Sequence, residues 1–400
     1  MSVITEQDIG APAATTAPVV TILVPCLNEQ QVIGEFVDWC MEGLQSAGVS
    51  GEVLIVDSST DQSPAIAKTR GAKVVSVPKR GLGQAYIDAI PEIHGKYVIL
   101  GDCDLTYDFR LIKPFIKKLD EGYEFVMGTR MKGTIEPGAM PNLHRYFGTP
   151  LTTIILNLIY GTRYSDIHCG MRAMTTTALR RIDLQSSGWE YASEMVLKAA
   201  RLGLRTCEIP INFYKDRKGR VSHHKRGGWL SPWQAGWVNL KAMFVFAPDA
   251  ILLKPAAIAL TLGLLLAFAL CRGPRNIGGI GFDLHWLLLG VTLATVGYSA
   301  LHLALLSRAY YAFTPKTRAN VLKWFSYNRG MLLGLLLMAA GMVANVALVY
   351  RWYMNRLQLQ AISYPAVFGL FLIVLGWQTI THTLILHMVL FSRRGKETDH

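Results

Sequence analysis

Apolar residues are distributed unevenly along this chain, and the longest apolar runs lie near its C-terminal end. Four such runs cover Ala250–Leu270, Leu284–Leu306, Met331–Val349 and Pro365–Leu390. About twenty apolar residues in a helix cross the ~30 Å hydrocarbon core of a bilayer. The first 240 residues contain no comparable run. The pattern therefore predicts a water-soluble head followed by a membrane domain of four transmembrane helices, over 249–392.

Residues 19–213 show a second pattern, in which short β-rich runs alternate with amphipathic stretches. Such alternation is typical of strands joined by crossover helices in a mostly parallel sheet. We therefore expect an α/β, Rossmann-like head domain over 19–228. The predicted strands are Val20–Val24, Val53–Val56, Lys73–Val77, Tyr97–Leu100 and Phe125–Met127, and the predicted helices are Gln31–Ser46, Ser63–Arg70, Leu82–His94 and Phe109–Leu119.

Three further segments complete the predicted organisation. Residues 1–18 are rich in Ala, Thr and Pro and lack the basic start and apolar stretch of a signal peptide, so we expect a disordered leader. Ser231-Pro232, followed by tryptophans at helical spacing, predicts an amphipathic helix over 229–248 that lies in the membrane interface. Packing of that helix against the head is the alternative. Residues 393–400 form a basic tail.

The net charge of +12 could indicate nucleic-acid binding, but its location favours a membrane instead. Much of the charge lies between Arg201 and Lys241 and around the apolar runs. Anionic lipid head groups attract such clusters at about 1 kcal/mol per residue. The loop between the second and third runs and the C-terminal tail are the most basic, which predicts that the head and both termini are cytoplasmic. The six cysteines include no Cys-x-x-Cys pair, so neither disulfides nor zinc is expected.

Polar residues follow each of the first four predicted strands, where open α/β sheets bind ligands. Asp102 and Asp104 come directly after an apolar strand and a glycine, so both carboxylates could turn toward one Mg²⁺ or Mn²⁺ ion. Helix caps and turns would explain several of the other residues taken singly. The four endings are Pro25-Cys26-Leu27-Asn28-Glu29, Asp57-Ser58-Ser59-Thr60-Asp61, Lys79-Arg80-Gly81-Leu82-Gly83 and Gly101-Asp102-Cys103-Asp104.

This ordered set of motifs resembles the family-2 glycosyltransferases of the GT-A fold, and among them the polyprenyl-phosphate glycosyltransferases such as dolichol-phosphate-mannose synthase. The resemblance covers about residues 19–226 and includes Gly128-Thr129-Arg130 and Asp166-Ile167-His168-Cys169-Gly170. It implies a hexosyltransferase that uses a UDP- or GDP-sugar, Mg²⁺ or Mn²⁺, and a polyprenyl phosphate acceptor, with inversion at the sugar. The oligomeric state stays open, and a homo-oligomer is compatible with the sequence.

The resemblance also implies residue roles. The positions that match the nucleotide and diphosphate site are Pro25, Leu27, Asn28, Glu29, Asp57, Gly81 and Asp102. The implied metal ligands are Asp102 and Asp104, the implied acceptor-phosphate pair is Arg145 and Thr149, and the late basic loop contains Arg217 and Ser222. The sequence departs from the family pattern at Thr106, where such synthases often have Gln, and in the basic loop itself.

The remaining candidates concern charge and acceptor binding. An acceptor phosphate is already anionic at pH 7, so the reaction needs cations such as Arg130 rather than a strong base. Asp166 could orient the acceptor or act as a weak base, or it could only cap a turn. Residues 142–160 form an amphipathic stretch that could seat the lipid phosphate at the bilayer surface. Glu190 and Glu194 lie one helical turn apart, which favours a solvated helix face.

Two other functions remain possible from the sequence. A membrane polysaccharide synthase would share the head, but that branch typically carries Gln-x-x-Arg-Trp, and the only Arg-Trp here is Arg351-Trp352 in a predicted external loop. A non-catalytic membrane protein that binds lipid or sugar nucleotide is compatible with the motif spacing. The intact pair of aspartates favours an enzyme over that alternative.

Overall fold

The chain divides into two compact units, Met1–Leu240 and Lys241–His400. The computed structural model describes residues 17–217, 237, 240–241, 244–246, 248–310, 326–356, 358 and 363–397. Most of the predicted leader and of the predicted interfacial helix over 229–248 lies outside the described residues, as do Ser222 and the last three residues of the tail.

The first unit is built on a seven-stranded sheet in the order β3-β2-β1-β4-β6-β5-β7. All neighbouring strands are parallel except β6, which runs antiparallel to both β4 and β5. The strands are β1 Val20–Cys26, β2 Gly51–Asp57, β3 Lys73–Ser76, β4 Tyr97–Leu100, β5 Phe125–Ile135, β6 Arg172–Thr175 and β7 Thr206–Phe213. The predicted class, a mostly parallel α/β head followed by four apolar helices, is confirmed.

The position of the central strands in the sheet explains why their sequences are largely apolar. The side chains of β1 and β4 are buried on both faces of the sheet, as expected for parallel strands covered by helices. In the register of this sheet, Cys26 at the end of β1 lies beside Asp57 at the end of β2, and Leu23 lies beside Leu100 at the end of β4. The loops that follow these three strands therefore emerge at one edge.

Helices connect the strands largely as the periodicity predicts. Their bounds are α1 Ile33–Ala47, α2 Ser63–Thr69, α3 Leu82–Ala89, α4 Lys113–Asp120, α5 Thr149–Tyr160, α6 Thr176–Ile182 and α7 Tyr191–Arg201. Two predicted helices are shorter than expected because of proline. The first ends before Pro91, in a 3₁₀ turn over Ile90–Glu92, and the second begins near Pro114 after a separate 3₁₀ turn. Proline lacks an amide proton and is best tolerated in the first turn of a helix.

The described part of the second unit contains four long helices, Pro248–Leu270, Leu284–Tyr310, Tyr327–Met354 and Tyr364–Glu397. Each is long and apolar enough to cross a membrane. Glycines let their backbones approach closely. Gly341 faces Gly369, and Gly334 faces Gly376, between the third and fourth helices. Small residues at such contacts are a common feature of membrane helix packing.

Polar contacts also join the second helix of this unit to the fourth. Tyr298 and Thr379 share a hydrogen bond of 2.6 Å between their hydroxyl groups, and Gln378 donates to Ser299 at 3.0 Å. Interhelical hydrogen bonds of this kind satisfy polar groups that hydrocarbon would leave unpaired.

Candidate active site

The loops after β1 and β2 are joined to each other by side-chain to backbone hydrogen bonds. Asn28 N donates to Ser59 Oγ at 2.7 Å, and Asn28 Oδ1 in turn accepts from Thr60 N at 2.8 Å. Glu29 N donates to Ser63 Oγ at 2.9 Å. The two predicted nucleotide-binding segments therefore form one surface at the edge of the sheet, close to Pro25 and Leu27.

Asp57 ends β2 with a buried carboxylate that is only half satisfied. Its Oδ2 accepts a hydrogen bond from Ser59 N at 3.2 Å, whereas its Oδ1 is buried with no hydrogen-bond partner in the described part of the chain. Buried polar atoms in proteins are almost always hydrogen-bonded, so an exception calls for an explanation. A ligand N–H or O–H group would supply the missing donor.

Asp102 and Asp104 lie on the loop after β4, both partly exposed. A Cβ atom added to Gly170 would lie 2.7 Å from Asp102 Oδ2, so the Asp102 carboxylate lies where only a glycine leaves it room. Gly170 N also donates to the Tyr107 hydroxyl at 2.9 Å, which fixes the loop around Gly170 to the aspartate loop. The structure thus joins two motifs that the sequence separates.

The donor set of this loop suits a hard divalent cation that shares its coordination with a substrate. No group of three or more His, Cys, Asp or Glu side chains with metal-binding geometry occurs among the described residues. Mg²⁺ is usually held by one or two carboxylates together with phosphate oxygens and water, rather than by a complete protein cage. Asp102 and Asp104 fit that requirement.

Gly81 lies where the loop before α3 meets a distant loop over residues 185–188. Gly81 has a φ of 119°, and a Cβ there would overlap the carbonyl oxygen of Ser187. Gly83 packs in the same way against the carbonyl oxygen of Ser186. Both glycines are therefore required for close approach of two backbones.

Glu194 holds that second loop in place, and the predicted solvated face is wrong for this residue. Its carboxylate is fully buried, accepts from the backbone N of Gln185 at 2.9 Å and of Ser186 at 2.8 Å, and pairs with buried Lys198 at 2.5 Å. Sequence reasoning missed this role because one-turn spacing of two glutamates is equally typical of an exposed helix.

Arg130 and Asp166 form a buried ion pair. Asp166 accepts from Arg130 Nε at 2.7 Å, from Arg130 Nη2 at 2.9 Å and from the Arg130 backbone N at 3.1 Å. Burial alone would raise the pKa of Asp166, but the charge and hydrogen bonds of Arg130 bring it below its ordinary value. A carboxylate so engaged is a poor base. The geometry therefore favours a role for Asp166 in orienting Arg130 over a role as a base.

His168 is a neutral imidazole in the same loop. Burial lowers the pKa of His168 to about 4. Its Nε2 lies 2.9 Å from Thr152 Oγ1, whose hydroxyl proton is already directed to the carbonyl oxygen of Gly148 at 2.8 Å. The contact between His168 and Thr152 ties this loop to helix α5.

Arg172 stabilises the same loop through hydrogen bonds to backbone carbonyl oxygens. Its fully buried guanidinium donates to three carbonyl oxygens, those of Cys169, Ala192 and Ile167, at 2.7 to 3.0 Å. The sequence offers no signal for this role, because an arginine in the short strand β6 would be expected at the surface.

The predicted acceptor pair lies at the start of helix α5. Arg145 is partly exposed within a π-helical turn, His144–Gly148, and Thr149 begins α5 with a side chain that is only 5% exposed. Of this pair, Arg145 is the residue that a ligand would reach. In the basic loop, Arg217 forms an exposed ion pair with Glu35, and Ser222 lies outside the described residues.

Comparison with known proteins shows the family of this chain. Residues 21–183 match glycosyl transferase family 2, and residues 304–390 match the C-terminal transmembrane region of family 2 glycosyltransferases. The low-salt glycan biosynthesis hexosyltransferase Agl6 of Haloferax volcanii is 31% identical over 375 residues, which cover 92% of this chain and 89% of Agl6. The chain therefore belongs to glycosyltransferase family 2, and the predicted enzyme class is confirmed.

More distant similarities are also found. A dolichyl-phosphate hexose transferase of the same organism is 29% identical over 204 residues, which cover 50% of this chain and 84% of that protein. The mannosyltransferase PcManGT from Pyrobaculum calidifontis, solved with GDP-Man and Mn²⁺, aligns with 94% of this chain and 90% of its own, at 18% identity and a TM-score of 0.35.

Proposed function

We propose that this protein transfers a hexose from a UDP- or GDP-sugar to a polyprenyl phosphate at the cytoplasmic face of a membrane, with inversion at the sugar. Family membership supports glycosyl transfer, and the relatives named as hexosyltransferases support the hexose. The lipid acceptor is inferred above all from helix α5, whose exposed side is apolar beside a partly exposed arginine.

The donor site is proposed at the edge formed by the loops after β1, β2 and β4. The unpartnered Oδ1 of Asp57 would accept a hydrogen bond from the nucleoside, with Pro25, Leu27, Asn28 and Glu29 beside it. Asp102 and Asp104 would hold Mg²⁺ or Mn²⁺, an ion that offsets the charge developing on a departing diphosphate. Gly81 would let the loop before α3 approach the loop over residues 185–188.

The acceptor site is proposed on α5 and the π-helical turn before it. Leu151, Ile154 and Leu158 are between 42% and 80% exposed, and they recur at the spacing of one helix face. Such a face with a cation at its end suits the surface of a bilayer. Arg145 would bind the phosphate of the acceptor, with Thr149 supporting the turn.

The chemistry then needs positive charge more than a base. An anionic phosphate oxygen of the acceptor attacks the anomeric carbon, and the carbon–oxygen bond to the diphosphate breaks with its electron pair on the leaving group. Arg145 and Arg217 would reduce the repulsion between the two anions. Asp166 would keep the guanidinium of Arg130 in one orientation through their two parallel hydrogen bonds.

Product analysis tests this function. Purified protein with Mg²⁺ is incubated with a panel of labelled nucleotide sugars and undecaprenyl or dolichyl phosphate, beside the nearly isosteric variant Asp104→Asn. We expect label in an organic-soluble, acid-labile product, and loss of most turnover in the variant. Label in a water-soluble polymer would instead identify a polysaccharide synthase, and near-normal turnover of Asp104→Asn would contradict the metal assignment.

A further inference from the structure

Thr106 donates two hydrogen bonds to a single oxygen of Asp104. The Thr106 backbone N lies 3.0 Å from Asp104 Oδ1, and the Thr106 hydroxyl oxygen lies 2.5 Å from the same atom. Thr106 is itself buried, so its hydroxyl is held in place. Hydrogen bonds to an ionised acceptor are shorter and about twice as strong as neutral ones.

The backbone between these residues is shaped for this contact. Leu105 has a φ of 62°, although it is a buried residue with a large side chain. A left-handed conformation is unfavourable for a non-glycine residue. The conformation turns the chain back at Leu105, so that both donors of Thr106 reach the carboxylate two residues earlier.

The backbone part of this arrangement is common in the head, and at Asp104 a hydroxyl adds a second hydrogen bond to it. Asp57, Asp108 and Asp166 each accept from the backbone N two residues later, as aspartates in turns often do. Of the donors Ser59, Arg110 and His168, Arg110 also adds a side-chain hydrogen bond to the same oxygen as its backbone, from Nε to Asp108 Oδ1 at 2.8 Å. Thr106 differs from Arg110 because its second donor is the hydroxyl of a buried, uncharged side chain. Thr106 therefore does more than close a turn.

We propose that Thr106 is a positioning residue, which holds Asp104 by Oδ1 and so sets the direction in which the carboxylate meets a divalent cation. This inference rests on the proposed function, in which Asp104 is a metal ligand. Related synthases often carry Gln at this position. Here the Thr106 side chain has a different role, which is to orient the ligand Asp104. Residues that orient a metal ligand typically change metal affinity by about 10- to 100-fold when they are replaced.

The test compares substitutions that separate the hydroxyl from the rest of the side chain. Thr106→Val keeps the shape and the backbone N–H but removes the hydroxyl, whereas Thr106→Ser keeps the hydroxyl. Mn²⁺ binding to the full-length protein is measured by electron paramagnetic resonance, with UDP and separately with GDP. We expect Thr106→Val to weaken Mn²⁺ binding by about 10- to 100-fold and Thr106→Ser to stay close to wild type.

Thr21→Val is the matched control. Thr21 is also buried and also donates its hydroxyl to a carboxylate, at 2.7 Å from Glu52, but it lies at the opposite end of β1. This variant should bind Mn²⁺ as the wild type does. Thermal unfolding of every variant reports on folding, and in an Asp104→Asn background Thr106→Val should cause no further change in Mn²⁺ binding.

The outcomes separate the inference from the proposed function. Wild-type Mn²⁺ affinity in Thr106→Val, together with weak binding in Asp104→Asn, overturns the role of Thr106 and leaves the metal site intact. Equal loss in Thr106→Val and Thr106→Ser also overturns it, because the hydroxyl would then be irrelevant. Wild-type affinity in Asp104→Asn contradicts the metal site of the proposed function.

Discussion

Arg130 and Asp166 are separated by 36 residues in the chain, yet they meet in a buried bidentate ion pair. Arg130 ends the buried part of β5, and Asp166 begins the loop that leads to Gly170 beside Asp102. Burial would lower the pKa of Arg130, but the neighbouring carboxylate raises it, so both groups stay charged. The pair therefore ties strand β5 to the loop that leads to Gly170.

Removal of one partner of this pair should destabilise the head strongly. Arg130→Ala leaves the Asp166 charge buried and unpaired, which typically costs 3–5 kcal/mol. Lys132→Ala, two residues along the same strand, removes a partner of Glu208 from an exposed position and should cost at most about 1 kcal/mol. Urea unfolding of both variants in detergent measures the difference. Similar stabilities for the two variants would contradict the buried pair.

His168 should make stability depend on pH. Its pKa is about 4 in the folded protein, whereas an unperturbed histidine has a pKa near 6.5. Between these values only the unfolded chain binds the proton, so stability should fall as pH falls from 6.5 toward 4, by at most about 1.4 kcal/mol per pH unit. His168→Gln keeps a donor for Thr152 but does not titrate. The difference in unfolding free energy between wild type and variant should shrink on acidification, and a difference independent of pH would refute this prediction.

Gly170→Ala should disturb Asp102 without removing any polar group. The added Cβ would lie 2.7 Å from Asp102 Oδ2 and 3.1 Å from the Tyr107 hydroxyl, so the carboxylate must move. We expect a large loss of turnover and weaker Mn²⁺ binding in a protein that still folds. Gly161→Ala provides a control on the protein surface, where no atom lies within 4 Å of the new Cβ, although its φ of 66° adds some backbone strain. Full activity in Gly170→Ala would show that Asp102 is not confined by this loop.

Arg145→Ala should impair use of the acceptor and spare the donor. A charged hydrogen bond to phosphate typically contributes ~1.5–3 kcal/mol, so the apparent KM for polyprenyl phosphate should rise by roughly ten- to a hundredfold. Steady-state kinetics with each substrate varied in turn, beside calorimetric titration of the nucleotide, separate the two effects. Weaker nucleotide binding with an unchanged lipid KM would contradict this role of Arg145. It would indicate that the basic loop that begins near Arg217 binds the acceptor instead.

The orientation in the membrane is a further prediction. The most basic loops, between the second and third apolar helices and after the fourth, should face the cytoplasm, so that the head and both termini do as well. Reporter fusions and cysteine labelling in intact cells test this arrangement. Labelling from outside of a cysteine placed after Arg394 would show that the orientation is wrong.

The sequence alone determined the fold class and the candidate position of the chemistry. Apolar runs of membrane length predict four spans, and the five predicted strands are all present as β1 to β5. Asp102 and Asp104 could be proposed as metal ligands because they directly follow an apolar strand. These features are local, since length and periodicity report which way a residue faces relative to its neighbours in the chain.

Only the tertiary structure decided which distant residues meet. The Arg130–Asp166 pair, the burial of Glu194 and the insertion of the short strand β6 between β4 and β5 have no reliable local signature. The helical spacing of Glu190 and Glu194 even favoured the wrong environment for Glu194, which is fully buried. Such contacts depend on how segments far apart in the chain pack together, and the charge of a side chain does not by itself specify the partner that will compensate its burial.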